Sequence, residues 1–133
     1  MPKVLVVEDN PANMTLSTFL LESAGHSVLK ATDAETGVAL ARAEHPDLIL
    51  MDIQLPGMDG LCATALLKGD AATKNIPVVA LTALAMKGDE ERIRAAGCDG
   101  YIAKPLSYKD FLATISSQLG KSRSPASEQE TFR

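Results

Sequence analysis

The sequence predicts an α/β fold: a doubly wound sheet of five parallel strands in the order 2-1-3-4-5, with helices on both faces. Two observations carry this. Short apolar runs without polar alternation recur along the chain, the mark of strands buried on both faces. Each is followed by a segment with helical periodicity and capping residues. Such alternation builds a parallel sheet covered on both sides, and right-handed crossovers leave few topologies. A chain of 133 residues is long enough for a real core, and one domain is expected over residues 1–120, followed by a flexible polar tail over 121–133.

Val4-Leu5-Val6-Val7 is the first strand, and it ends on Glu8-Asp9. Asn10 suits a helix cap and Pro11 the first helical position. Leu16, Phe19, Leu20 and Ala24 make one apolar stripe on that helix, and Gly25 stops it. The second strand, residues 27–31, is short and carries Lys30, which suits a sheet edge. Thr32-Asp33-Ala34-Glu35 has the spacing of a capping box and opens a helix to about Glu44, closed by His45-Pro46. The central strand, Leu48-Ile49-Leu50-Met51, ends on Asp52. Pro56-Gly57 then turns the chain, and Asp59 caps a helix that reaches about Lys68 and closes at Gly69.

After a polar loop over 70–75, Ile76 to Thr82 form the fourth strand. Asp89, Glu90 and Glu91 stand in the first turn of the next helix, where the dipole favours acids, and Gly97 ends it. Gly100-Tyr101-Ile102-Ala103 is the fifth strand and leads into Lys104-Pro105. Ser107-Tyr108-Lys109-Asp110 opens the last helix, with Phe111, Leu112, Ile115 and Leu119 inward. Past Gly120 the periodicity is lost, as in a mobile tail.

The bulk properties exclude several classes. A net charge of −4 offers no electrostatic case for nucleic acid or an anionic membrane. No apolar run approaches the roughly 20 residues of a membrane span. A strand beginning at about residue 3 leaves no room for a signal peptide, so a cytoplasmic location is expected. Cys62 and Cys98 lack neighbours at metal-ligand spacing and are expected to be buried thiols.

The strand order brings Glu8, Asp9, Asp52, Thr82 and Lys104 to one sheet edge, where open α/β sheets place their sites. Three carboxylates there repel one another, and a divalent cation resolves the repulsion. All-oxygen ligands select Mg²⁺ or a similar hard ion such as Mn²⁺. Asp52 can then act as nucleophile on a phosphoryl group. The cation and Lys104 neutralise charge on that group, Thr82 donates a hydrogen bond to it, and the small Ala83 leaves it room.

Glu8-Asp9, the run from Asp52 to Gly60, Leu81-Thr82-Ala83 and Lys104-Pro105 together resemble the receiver domains of two-component response regulators, from Lys3 to about Leu119. The resemblance implies a flavodoxin-like fold, with Asp52 as phosphoacceptor and Asp9 as a direct Mg²⁺ ligand. Glu8, standing where many receivers carry Asp, would reach the metal directly or through water, and the Gln54 backbone carbonyl would complete the protein ligands. Phosphorylation would draw Thr82 towards the phosphoryl group and turn Tyr101 inward behind it. That reshapes the face made by helix 4, strand 5 and helix 5. Lys104-Pro105 is expected to be cis, while Gln54 and Leu84 would flank the phosphoryl group and tune its hydrolysis.

The stretch from Ala85 to Ile93, with Ala96 to Tyr101, looks like single-domain receivers of the DivK kind and like receivers fused to hybrid kinases. The implied donor is a phosphohistidine on a histidine kinase or histidine phosphotransfer protein. The output is contact with a downstream protein, from a monomer or weak dimer. Such a chain is no enzyme towards other molecules and catalyses only its own phosphorylation and dephosphorylation.

Rival readings fare worse. Glu8-Asp9 would repel a flavin phosphate, and no Gly-x-Gly-x-x-Gly or P-loop pattern occurs. A haloacid-dehalogenase-type phosphatase needs a second Asp where Gln54 stands. The remaining alternatives are a receiver-like adaptor that works without phosphorylation and the excised receiver of a hybrid histidine kinase.

Overall fold

The computed structural model describes residues 2–55, 57–82, 87–104 and 107–123. Ten elements alternate: β1 (Lys3–Val7), α1 (Pro11–Ser23), β2 (Ser27–Ala31), α2 (Ala34–Glu44), β3 (Leu48–Asp52), α3 (Gly60–Lys68), β4 (Val78–Thr82), α4 (Lys87–Ala95), β5 (Gly100–Ala103) and α5 (Tyr108–Arg123). The strands form one parallel sheet in the order β2-β1-β3-β4-β5. This is the doubly wound α/β architecture expected, with the polar strand β2 at an edge.

Successive residues of a strand point to opposite faces, and here both faces are covered. Val4, Val6, Leu48 and Leu50 pack with Leu20 and Leu21 of α1 and Phe111 and Ile115 of α5. Leu5, Val7, Ile49 and Met51 pack with Val38 of α2 and Ala63 and Leu67 of α3. On this second face α4 contributes Ile93, against Ile53 and Ala80. Double burial is why β3 and β4 have no polar alternation: all ten of their residues are buried.

Caps set the helix starts. Asn10 Oδ1 accepts the Asn13 N–H at 3.0 Å, and Asp59 Oδ1 accepts the Cys62 N–H at 2.8 Å, as the residue types predict. For α2 the cap is Asp33, whose Oδ1 accepts the Thr36 N–H at 2.7 Å, one residue later than the Thr32 box implies. His45, in the left-handed region at φ 50°, ends α2, and Gly97 at φ +106° follows α4.

Several expectations need correcting. The buried side of α1 is Ser17, Thr18, Leu20 and Leu21, whereas Leu16 is 40% and Phe19 64% exposed. Small hydroxylated residues let the helix approach the sheet, and Leu21 rather than Leu16 sets its rotation. β4 begins at Val78, because Pro77 has no N–H for the ladder. Gly120 does not end α5, which continues to Arg123 into the stretch expected as tail; buried Leu119 anchors that last part. Cys62 is exposed and Cys98 half-buried, so the two are not a buried pair. Pro56, Ala83, Leu84, Pro105 and residues 124–133 lie outside the described residues. No described helix is long and apolar enough to cross a membrane.

Gly60 starts α3 against the end of β3. A Cβ there would run into the Asp52 carbonyl oxygen and lie 2.7 Å from Ile53 Cα, and both obstacles are backbone. Gly60→Ala should therefore lower the unfolding free energy by about 2 kcal/mol or more. Gly120, with nothing within 4 Å of a built Cβ, makes the control. Gly120→Ala should raise stability by up to about 1 kcal/mol, both changes being read by urea unfolding.

Candidate functional site

The parallel register assembles the site. Val7 pairs with Met51, so Glu8 and Asp52 leave neighbouring strands side by side. Asp52 pairs with Leu81 and Thr82 with Ala103, which sets Thr82 and Lys104 next along the same edge. The Lys104 N–H donates to the Thr82 carbonyl at 2.7 Å, extending the β4–β5 pairing to the lysine itself.

Two carboxylates are buried here. Asp52 is 2% exposed and Glu8 is fully buried, while Asp9 is exposed. Asp52 Oδ1 accepts the Gln54 N–H at 2.9 Å, and Asp52 Oδ2 lies 3.3 Å from Lys104 Nζ. Glu8 Oε2 accepts the Asn10 N–H at 3.2 Å. Glu8 Oε1 lies 3.4 Å from Lys104 Nζ but has no hydrogen-bond partner. Both contacts to the ammonium exceed the ~2.8 Å of a tight charge-assisted hydrogen bond. One lysine is shared between two acids and satisfies neither fully.

The electrostatics follow. Burial foremost, then a hydrogen bond from the protonated carboxyl to Asp52 and the nearby Asp52 charge, push the Glu8 pKa up to about 7. The Asn10 N–H and the Lys104 ammonium offset only part of this. Glu8, Asp9 and Asp52 each offer a carboxylate oxygen within 4.8 Å of the others, so the three could hold a metal ion. The donor set fits a hard divalent cation: all oxygen, with one buried oxygen, Glu8 Oε1, still without a hydrogen-bond partner.

Of the residues singled out from sequence, Glu8, Asp9, Asp52, Thr82, Lys104 and the Gln54 backbone therefore meet at one edge. Tyr101 does not join them. It lies half-buried on β5, packed against Ile53, Ala80 and Ile93, and the Glu90 carboxylate of α4 pushes its phenol pKa up. Two contributions escaped sequence reading. Asn10 caps α1 and also supplies a backbone donor to Glu8, and Gly60 clears space beside the Asp52 backbone. A backbone donor has no residue-type signature, so nothing in the sequence marks the first. An Asp-Gly pair at a helix start is a weak hint of the second.

A five-stranded sheet of this order with acids and a lysine at its carboxyl edge defines a class, and the comparisons agree. The family model described as "Response regulator receiver domain" matches residues 4–116. The chain belongs to the response regulator receiver family. Within it, the chain is 52% identical over 117 residues to the polar-differentiation response regulator DivK of Brucella ovis, covering 88% of this chain and 95% of that protein. The receiver domain of a sensor histidine kinase from Pseudomonas aeruginosa PAO1, solved with a magnesium ion coordinated in its active site cleft, superposes with TM-score 0.84 at 35% identity, covering 90% of this chain and 98% of that one. A response regulator from Chloroflexus aurantiacus gives TM-score 0.86 at 25% identity, again over 90% and 98%.

The raised Glu8 pKa has a signed consequence for metal-free protein. Its stabilising contribution is fully present below the ordinary glutamate range and is lost as pH rises through about 7. Urea unfolding in chelator should show wild type losing, relative to Glu8→Gln, at most about 3 kcal/mol between pH 4 and pH 8. A pH-independent difference between the two would contradict the assignment.

Proposed function

We propose that this receiver domain accepts a phosphoryl group on Asp52 from a phosphohistidine donor and signals by protein contact. The observation that supports it most is the Asp52 carboxylate, buried at a strand end, paired at 3.3 Å with Lys104 beside Glu8 Oε1, a buried oxygen with no hydrogen-bond partner. A structural ion pair would not be placed beside an unsatisfied buried acid, which costs stability.

In the transfer an Asp52 oxygen attacks phosphorus as the P–N bond breaks. The bonding pair passes to the imidazole, which leaves neutral when its other nitrogen carries a proton. The Gln54 N–H holds the Asp52 carboxylate by Oδ1, leaving Oδ2 towards Lys104. Lys104 is positioned to compensate negative charge at the reacting carboxylate, and Thr82, buried at the end of β4, to bond the phosphoryl group once it is attached. Glu8, Asp9, Asp52 and the Gln54 carbonyl would hold Mg²⁺, or Mn²⁺, which when bound neutralises charge on the transferred group.

The partners in this reading are a histidine kinase or histidine phosphotransfer protein as donor and a downstream protein as target, in the cytoplasm. The domain acts as monomer or weak dimer. It catalyses only its own phosphorylation and dephosphorylation, so it is a phosphoacceptor and no enzyme towards other substrates. Thr82 and Tyr101 carry the change to the face of α4, β5 and α5.

Intact mass after acetyl phosphate treatment tests this. One phosphoryl group should be gained with Mg²⁺, none with chelator, and none by Asp52→Asn, which should keep the fold. Lys104→Ala should still bind Mg²⁺ yet lose the phosphorylation-dependent NMR changes. Failure of wild type to gain mass while Mg²⁺ binds would replace this reading with an adaptor that works unphosphorylated.

A further inference from the structure

The three residues that follow α4 are docked on α3. Thr64 and Lys68 stand four residues apart in α3 and so share one helix face. The Cys98 thiol donates to Thr64 Oγ1 at 3.8 Å, and the Thr64 hydroxyl donates in turn to the Gly60 carbonyl at 2.8 Å. A Cβ on Gly97, at φ +106°, would lie 2.9 Å from Lys68 Cγ, so the backbone there rests on the lysine stem. Asp99 Oδ2 pairs with Lys68 Nζ at 2.8 Å.

The Lys68 ammonium is fully used. It has three N–H donors, and it meets the Lys74 carbonyl at 3.3 Å, the Ile76 carbonyl at 2.9 Å and the Asp99 carboxylate. Asp99 Oδ2 also accepts the Val78 N–H, and the Asp99 N–H donates to the Val78 carbonyl, both at 2.8 Å. Charge-assisted bonds thus tie the end of α4 both to α3 and to the start of β4. Upstream the helix is held differently. Glu91, Arg92, Arg94 and Ala95 are exposed, and Ile93 is the one described side chain of α4 that is buried.

We propose that Gly97-Cys98-Asp99 is a hinge: Lys68 keeps its far side fixed on α3, and α4 swings about Gly97 as a lever. Gly97 suits the pivot, because its φ is one that residues with a side chain rarely adopt. Hinged motions place their φ/ψ changes at such element ends. α4 follows the Thr82 end of β4, so a change at the site reaches the free arm first and the anchor last. Lys68 touches no atom of the site and acts by positioning. The inference deepens the proposed function and rests on it only for what drives the lever. The anchor needs no phosphoryl group.

Amide hydrogen exchange of the metal-free full chain separates arm from anchor. The N–H groups of Val78 and Asp99 report the anchor, and those of Glu91, Arg92 and Ile93 the arm. In wild type the arm should exchange at least about tenfold faster than the anchor. Lys68→Met keeps the stem under Gly97 and removes the ammonium, so anchor protection should fall roughly tenfold, towards that of the arm. Asp99→Asn, of the same shape, should do so less and serves where Lys68→Met folds poorly. Arg42→Ala breaks the Arg42–Asp70 pair near the same end of α3 and should change neither.

The same proteins are then phosphorylated with acetyl phosphate and Mg²⁺ and followed by backbone NMR. In wild type the shift changes should fade from Glu90 towards Gly97 and stop short of Asp99 and Val78. In Lys68→Met, which should still gain one phosphoryl group, they should run on into both. Equal exchange of arm and anchor in wild type would overturn the hinge. So would shift changes that already reach Val78 in wild type, or that still stop short of it in Lys68→Met. If wild type gains no phosphoryl group, the proposed function falls, and the metal-free exchange comparison alone decides the hinge.

Discussion

Two buried carboxylates sharing one ammonium are the constraint on which the rest of this domain is arranged. Glu8 and Asp52 sit at neighbouring strand ends, each more than 3 Å from Lys104 Nζ. Buried acids are tolerated only where charge partners and backbone donors stand ready. The Asn10 and Gln54 N–H groups supply such donors because the chain turns immediately after each acid. What those groups leave unsatisfied is the Glu8 oxygen that a cation would take. Local instability and metal affinity are thus linked, since a cation would compensate the buried Glu8 charge, whose burial foremost and whose neighbour Asp52 raise the Glu8 pKa.

The scaffold concentrates its rigidity at the opposite edge. Asp99 Oδ2 accepts the Val78 N–H at 2.8 Å and pairs with Lys68 Nζ at 2.8 Å. The same ammonium donates to the Ile76 carbonyl at 2.9 Å, and Gln118 Nε2 donates to the Asp99 carbonyl at 3.2 Å. α3, α5 and the amino ends of β4 and β5 are thereby pinned together. The carboxyl ends of those strands, where Thr82 and Lys104 stand, are left to carry chemistry. This division suits a parallel sheet, whose loops at one edge vary while the other edge holds it together.

α4 is the lightly held element. Among its described side chains only Ile93 is buried, whereas α5 buries Phe111, Ile115, Gln118 and Leu119. An element with few buried contacts lies at the low-stability end of a fold, from which moving parts are drawn. Its link to β5 passes through Ile93 and Tyr101 in one small cluster. A change at Thr82 therefore meets a helix whose position rests on few interactions.

Strand runs, helix caps at Asn10 and Asp59, and the order of elements were legible in the sequence, because local propensity and double burial act on consecutive residues. The site acids and Lys104 were legible too, since the topology of a parallel sheet brings successive strand ends together whatever the side chains. The rotation of α1 was not: Leu16 and Leu20 fit a helical stripe as well as Ser17 and Leu21 do, and only packing against the sheet turned Ser17 and Leu21 inward and left Leu16 out. Nor was the continuation of α5 past Gly120, where the small local cost of glycine is overcome by anchoring through Leu119. The sharing of Lys104 between Glu8 and Asp52 and the Asn10 backbone donor join residues far apart in the chain or use groups every residue has. Sequence by itself determined which chemical groups reach the strand ends. Only tertiary structure decided which of them lack hydrogen-bond partners and what Tyr101 packs against, because burial and partner geometry exist only once the sheet and its helices have packed.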